Sequence, residues 1–191
     1  SDFVIVTHNA PYEVGLAQAT GEKRMSGRTL ALFLGSNIGN FDPLVALEFL
    51  VHIRGVLREG DALLLGSDLV KPERELLQAY DDPLHITSAF NFNILRRIND
   101  ELGGTFDLNG FTHRAIWNAR ARRVEMHLVS RRRQHVRIAA AGFGLTLERD
   151  EWIWTESSHK YEPAQVLEDG LAAGFGFGEQ WIDRDALFAL T

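Results

Sequence analysis

The chain has 191 residues, long enough for one sizeable domain or for a core carrying a smaller insertion. Hydrophobic residues make up 45% and charged residues 24%, an ordinary globular balance, and a net charge of −6 argues against a general nucleic-acid binder. The lack of cysteine excludes disulfides and thiolate metal sites. No run approaches the roughly 18 apolar residues of a membrane span, so a cytoplasmic protein with no membrane partner is expected.

The chain opens on Ser1, without an initiator methionine, and runs straight into Phe3–Thr7. That β-branched run reads as a buried strand, ended by His8-Asn9-Ala10-Pro11. Tyr12 to Ala19 suits a short helix, and Thr20 to Gly27 a polar loop. Thr29–Leu34 reads as the next buried strand, with a glycine-rich corner, Gly35 to Asn40, after it. Pro43 to Leu57 places Leu44, Leu47, Phe49, Leu50, Ile53, Val56 and Leu57 at helical spacing, with Pro43 suited to a first turn. Ala62–Leu65 is a third strand. Strand, helix, strand with short loops implies parallel pairing, strands buried on both faces and an α/β class.

The pattern changes after Val70. Pro72 to Ala79 predicts a short helix and Ile86 to Leu102 a longer one. Period-two segments follow at Arg122–Ser130, Gln134–Ala140 and from Leu145 through Ser158, reading as antiparallel strands. A helix returns from Ala164 to Ala173, then a glycine-rich turn and a closing hairpin. The chain therefore reads as a core of residues 1–69 and 164–191 interrupted by an α+β insertion, 70–163.

Several features invite chemistry. The arginine-rich stretch Arg120–Arg137 could bind anions or RNA, but a hairpin with solvated arginines and inward Val124, Met126 and Leu128 accounts for it better in an acidic chain. Seven histidines show no two-ligand helical spacing; His127 and His135 could face each other across a hairpin, yet two imidazoles alone make a poor site, so no metal is expected. Gly174–Gly178 follows a helix and precedes a strand, the reverse of a dinucleotide-binding context, and reads as a turn. In Thr155–Tyr161, Glu156 and Ser158 stand two apart, so on a strand they share a face. Together a carboxylate and a hydroxyl could hold an imidazole or an ammonium; equally, they could end a solvated strand.

Six segments taken in order carry a resemblance: ALFLGSNIGNF, LLLGSDLVKP, AYDD, FNFNILRRINDELGGTFDL, RVEMHL and TESSHKY. They resemble the histidine-specific Nα-methyltransferases of ergothioneine biosynthesis, from about Tyr12 to Thr191. The resemblance implies a partial Rossmann-like methyltransferase core with an inserted substrate-binding domain, S-adenosylmethionine as cofactor and L-histidine as the small-molecule substrate. By position, Asn40 and Tyr80 match residues holding the amino and carboxylate ends of the amino acid. Glu156 and Ser158 match the pair gripping the imidazole, and Met126 lines that pocket. Gly35 falls where the backbone turns beside the methyl donor, and Tyr12 falls at the adenine, preceded by Pro11 where the family has Asp.

No residue need act as a nucleophile. Methyl transfer from a sulfonium to an amine is an in-line displacement that asks chiefly for alignment. The family's glycine-rich cofactor loop and the acidic residue after its second strand have no counterpart from Ser1 onward. The chain is accordingly expected to be a truncated form, inactive alone, with an incomplete donor site and its strands covered by a homo-oligomer or a complementing chain. A non-catalytic amino-acid-binding or interaction module derived from that family and a methyltransferase for another amino acid are the alternatives.

Overall fold

The computed structural model describes residues 4–21, 27–176, 178–185 and 187–191. In chain order its elements are α1 (Tyr12–Gly21), β1 (Leu30–Phe33), α2 (Pro43–Val56), β2 (Ala62–Asp68), α3 (Glu73–Tyr80), α4 (Ile86–Leu102), β3 (Phe111–Asn118), β4 (Arg123–Ser130), β5 (Gln134–Ile138), β6 (Phe143–Leu147), β7 (Trp152–His159), α5 (Pro163–Ala172), β8 (Trp181–Asp183) and β9 (Phe188–Leu190). They fall into two compact units. One comprises the described residues through Leu69 together with Tyr161–Thr191; the other is Val70–Lys160.

The first unit is α/β. Strands β1 and β2 pair in parallel, Leu30 opposite Ala62 and Phe33 opposite Leu65, with α2 as their crossover. Pro43 occupies the first turn of α2, where its missing N–H costs nothing, and Ala46, Phe49, Leu50 and Ile53 recur at helical spacing on its buried face. They pack with Ile38, Leu65 and Val166 into one core. Strand β9 joins β2 antiparallel and turns back as β8, the closing hairpin that the sequence predicted. Gly66 sits where these strands crowd. A Cβ there would lie 3.1 Å from the Phe188 ring and 3.3 Å from the Leu34 Cα.

One expectation fails in this unit. Val4–Thr7 forms no strand and Ile5 is 88% exposed, because a β-branched run becomes a strand only where a partner takes up its backbone groups; Phe3 lies outside the described residues. Strand β1, expected to be buried on both faces only once another chain covers it, stands at the edge of its sheet among the described residues, with alternating burial and with Leu30, Leu32 and Leu34 exposed. Of the loop expected at Thr20–Gly27, Thr20 and Gly21 end α1, and residues 22–26 lie outside the described residues.

The second unit is α+β. Strands β3, β4 and β7 form an antiparallel sheet in that order, and β5 and β6 form a separate hairpin. Leu95 of α4 packs with Phe106, Phe111, Leu128, Val136 and Leu147 in its core. Strand β3 falls on a stretch that had no predicted element, and the segment from Leu145 to Ser158 is two strands rather than one. His127 and His135 do not face each other: His127 lies opposite Arg114 and Trp154, while His135 lies opposite Thr146. Val124, Met126 and Leu128 do point inward.

Strand β7 contains a bulge. Met126 pairs with Glu156, but the next residue of β4, His127, pairs with Trp154, leaving Thr155 as the extra residue. The Thr155 hydroxyl donates to the Met126 carbonyl at 2.8 Å, which closes the irregularity. The parity of the strand changes there. Glu156 and Ser158 share a face with Met126 and Val124, whereas Trp152 and Trp154 share the other with Val129 and His127.

Candidate functional site

Within the first unit, the corner after β1 is built from left-handed backbone. Gly35 has φ +76° and Ser36 φ +57°, and a short 3₁₀ turn, Asn37–Asn40, follows. At Gly35 an added Cβ would meet only Asn37 Nδ2 at 3.6 Å, so conformation rather than crowding favours glycine. The Asp68 N–H donates to Ser36 Oγ at 2.9 Å, tying the corner to β2. Asn37 Nδ2 donates to the Leu34 carbonyl, and the Tyr161 hydroxyl to that of Ile38 at 3.2 Å. Burial, with the Asp169 carboxylate adding to it, pushes the Tyr161 phenol well above its ordinary range. Asn40 leaves the turn exposed, and its amide has no hydrogen-bond partner among the described residues. The Tyr12 ring meets Phe33 edge-on at 5.3 Å and is still 57% exposed. This corner fits a ligand that approaches backbone at the carboxyl end of a strand, the usual place in an open α/β sheet.

The second unit gathers four of the predicted residues around one sheet face. Met126 and Glu156 are directly opposite each other, and Val124 and Ser158 form the next such pair. Tyr80, the last residue of α3, donates from Oη to Ser158 Oγ at 2.7 Å. Lys160 was missed: its Nζ donates to Tyr80 Oη at 2.7 Å and to Ser158 Oγ at 2.9 Å. Continuing the alternation of Glu156 and Ser158 by one more step would have found it. Ser158 is 6% exposed and Lys160 3%.

A second missed layer holds Tyr80. Asn91 Nδ2 can only donate, so His113 Nδ1 accepts from it at 3.0 Å, and His113 Nε2–H donates to the Tyr80 carbonyl at 2.8 Å. Asp82 of the Ala79–Asp82 motif caps α4 by accepting from the Thr87 and Ile86 N–H groups, which hold its carboxyl below the ordinary range. Nothing in the spacing of Asn91 and His113 signals their pairing, because it spans a helix and a strand.

Glu156 has a different environment. Burial pushes its carboxyl above the ordinary range, and its side chain has no hydrogen-bond or ion-pair partner among the described residues. It lines a cleft of about 400 Å³ with the apolar Phe90, Ile94 and Ile98 and the polar Asn93, Arg97 and Glu101. A half-buried acceptor with no donor of its own, in a cleft of mixed lining, is what a ligand N–H would complete. Among the described residues no group of three or more His, Asp or Glu could hold a metal ion, and no helix is long and apolar enough to cross a membrane.

A parallel strand–helix–strand core with an α+β unit between its halves defines a mixed α/β protein. The chain belongs to the histidine-specific, S-adenosylmethionine-dependent methyltransferase family, whose model matches residues 2–191. It is 43% identical over 165 residues to a histidine N-alpha-methyltransferase of Mycolicibacterium smegmatis, covering 86% of this chain and 51% of that protein. The match to the enzyme of the same name from Mycobacterium tuberculosis has the same extent and identity. Ergothioneine biosynthesis protein 1 of Schizosaccharomyces pombe is 38% identical over 95 residues, 49% of this chain and 12% of that one. This chain spans about half the length of the mycobacterial relatives. A solved methyltransferase from Streptomyces caelestis covers 90% of this chain and 59% of its own at 8% identity and a TM-score of 0.36, a likeness too loose to bear on the fold.

Proposed function

We propose that the protein is an S-adenosylmethionine-dependent Nα-methyltransferase of L-histidine, with the inserted unit, 70–163, as its substrate-binding domain. The observation carrying this is Glu156: an unpartnered, half-buried carboxylate on the same sheet face as Ser158 and Met126, in a chain matched along its length by a histidine-specific family. In this reading Glu156 accepts from the imidazole N–H, Ser158 bonds the ring and Met126 lines the pocket. Asn40 and Tyr80 take the end that all amino acids share, Tyr80 by accepting from the amino group with the one lone pair that its bonds to Ser158 and Lys160 leave over. The methyl group comes from the sulfonium of S-adenosylmethionine, beside Gly35 and Tyr12. The chain's own task is to hold a neutral amine in line with that methyl group. Both reactants are soluble metabolites, so the proposal carries a cytoplasmic setting with it. It also includes a homo-oligomer or a complementing chain over the exposed row Leu30, Leu32 and Leu34; a monomer in sedimentation that binds no other chain would remove that part.

Calorimetric titration with L-histidine and with S-adenosylmethionine, followed by mass analysis of the product, tests the proposal. Binding of both and a mass gain of methyl groups at the α-nitrogen are expected of the enzyme with its donor site complete; transfer by the 191-residue chain alone would mean that its donor site is complete already. Binding of histidine with no transfer once the donor also binds would leave a binding module instead. Equal affinity for histidine and phenylalanine would remove histidine as the substrate.

A further inference from the structure

Lys160 donates to two oxygens that are themselves hydrogen-bonded to each other. An ammonium only donates, so Tyr80 Oη and Ser158 Oγ each give up one lone pair to it. One hydrogen lies between the two hydroxyls. It comes from Tyr80, because a phenol is a stronger acid than an alcohol and so the better donor. Ser158 Oγ then accepts from both Lys160 and Tyr80, and both of its lone pairs are filled. Its own O–H is the capacity that remains, with no acceptor for it among the described residues. Glu156, on the same face two residues away, has the opposite character, since an ionised carboxylate only accepts.

We infer that Lys160 is a positioning residue that sets specificity: by filling the lone pairs of Ser158 it makes that hydroxyl a one-way donor. Glu156 and Ser158 then read a ring carrying one N–H and one bare nitrogen, which is the neutral form of imidazole. A ring presenting N–H at both positions meets a donor with a donor at Ser158 and is disfavoured. The backbone N–H of Lys160 donates to the Arg122 carbonyl at 2.7 Å, which fixes the end of β7 from which the ammonium reaches back. The inference rests on the histidine reading and deepens it.

The test uses ring analogues of histidine with the protein and its Lys160→Met variant, read by calorimetric titration. The 4- and 5-thiazolylalanines place a bare nitrogen at one ring position or the other; the 2- and 3-pyrrolylalanines place an N–H there. At the ring position facing Ser158 the protein should favour the bare nitrogen about tenfold, and at the position facing Glu156 the N–H by a similar factor. Lys160→Met should bring the first preference down to about twofold or less and leave the second intact, and Lys160→Arg should restore it. A purely structural lysine predicts that Lys160→Met weakens all four analogues by one factor, which would overturn the inference. Should that variant not fold, the native protein decides alone, because equal binding of both ring types at both positions overturns it too. Histidine binding without any isomer preference removes only the role of Lys160, whereas failure to bind histidine at all removes both readings.

Discussion

Glu125 and Glu156 lie on neighbouring strands of one sheet and point to opposite faces of it, with opposite surroundings. Burial would raise the Glu125 carboxyl, but hydrogen bonds from Arg123 at 2.8 Å and Asn118 at 3.0 Å outweigh it, and His127 adds a contact at 3.4 Å. The Arg123 guanidinium in turn lies 4.3 Å above the Trp154 ring. The Glu125 carboxyl ends below the ordinary range. Glu156 has burial without partners and ends above it. A carboxylate whose needs are met by its own chain is part of the architecture. One left wanting a donor, beside a cleft, is where the proposed ligand would contribute.

Four experiments would break or sharpen that contrast. Glu125→Ala should cost about 3 kcal/mol of stability, because it removes the buried carboxylate that accepts from both Arg123 and Asn118, and should leave the ratio of histidine to phenylalanine affinity alone. Denaturant unfolding with no loss would end the structural assignment. Glu156→Ala should do the reverse, weakening histidine binding by about 1.5–3 kcal/mol while sparing phenylalanine and the fold; equal losses for the two ligands would rule out the imidazole role. A smaller effect, about 1 kcal/mol, is expected for Asn40→Ala, and it should fall alike on every amino acid tested. Selective loss of histidine there would move Asn40 to the ring end.

The weakest effect is the pH dependence of stability, and its sign differs between the two groups. Glu125 has a folded pKa below its unfolded value, so its contribution is present above the usual carboxylate range, about pH 4–4.5, and is lost as pH falls through the lowered value. Glu156 has a folded pKa above its unfolded value, so ionising it costs stability as pH rises from that range through the raised value. Glu156→Gln should therefore stabilise the protein slightly near pH 7, by less than about 1 kcal/mol once solvent screening is allowed for, and hardly at all near pH 3. Urea midpoints at the two pH values check this, and stabilisation confined to pH 3 would invert the assignment.

Much of this was legible in the sequence. Helix α4 begins and ends where its pattern does, and Pro43 marks the start of α2, because strong local signals agree with the packing. The pairing of Glu156 with Ser158 was legible from alternation alone. What escaped depended on partners distant in sequence. Strand β3 was missed because its inward positions include His113, a buried polar residue satisfied by Asn91 and the Tyr80 carbonyl, and so it lacks clean alternation. Val4–Thr7 failed in the opposite direction: its composition favours a strand, and no neighbouring strand pairs with it among the described residues. Lys160 reads as an ordinary surface lysine until Tyr80 is brought beside it from eighty residues earlier.

The bulge at Thr155 gives strand β7 two reading frames. Trp152, Trp154, Glu156 and Ser158 are all even-numbered, and an unbroken strand would crowd them onto one face. The extra residue shifts the phase, so that the tryptophans flank His127 while Glu156 and Ser158 turn to the opposite side. The proposed site thus depends on the number of residues at this point more than on their identity. Thr155→Val, which removes only the bond to the Met126 carbonyl, should leave histidine binding within a few-fold of native. Deleting Thr155 should abolish it, since closing the gap sends either the tryptophans or Glu156 and Ser158 through the sheet. A deletion variant that still bound histidine would show that the strand can regain its phase elsewhere.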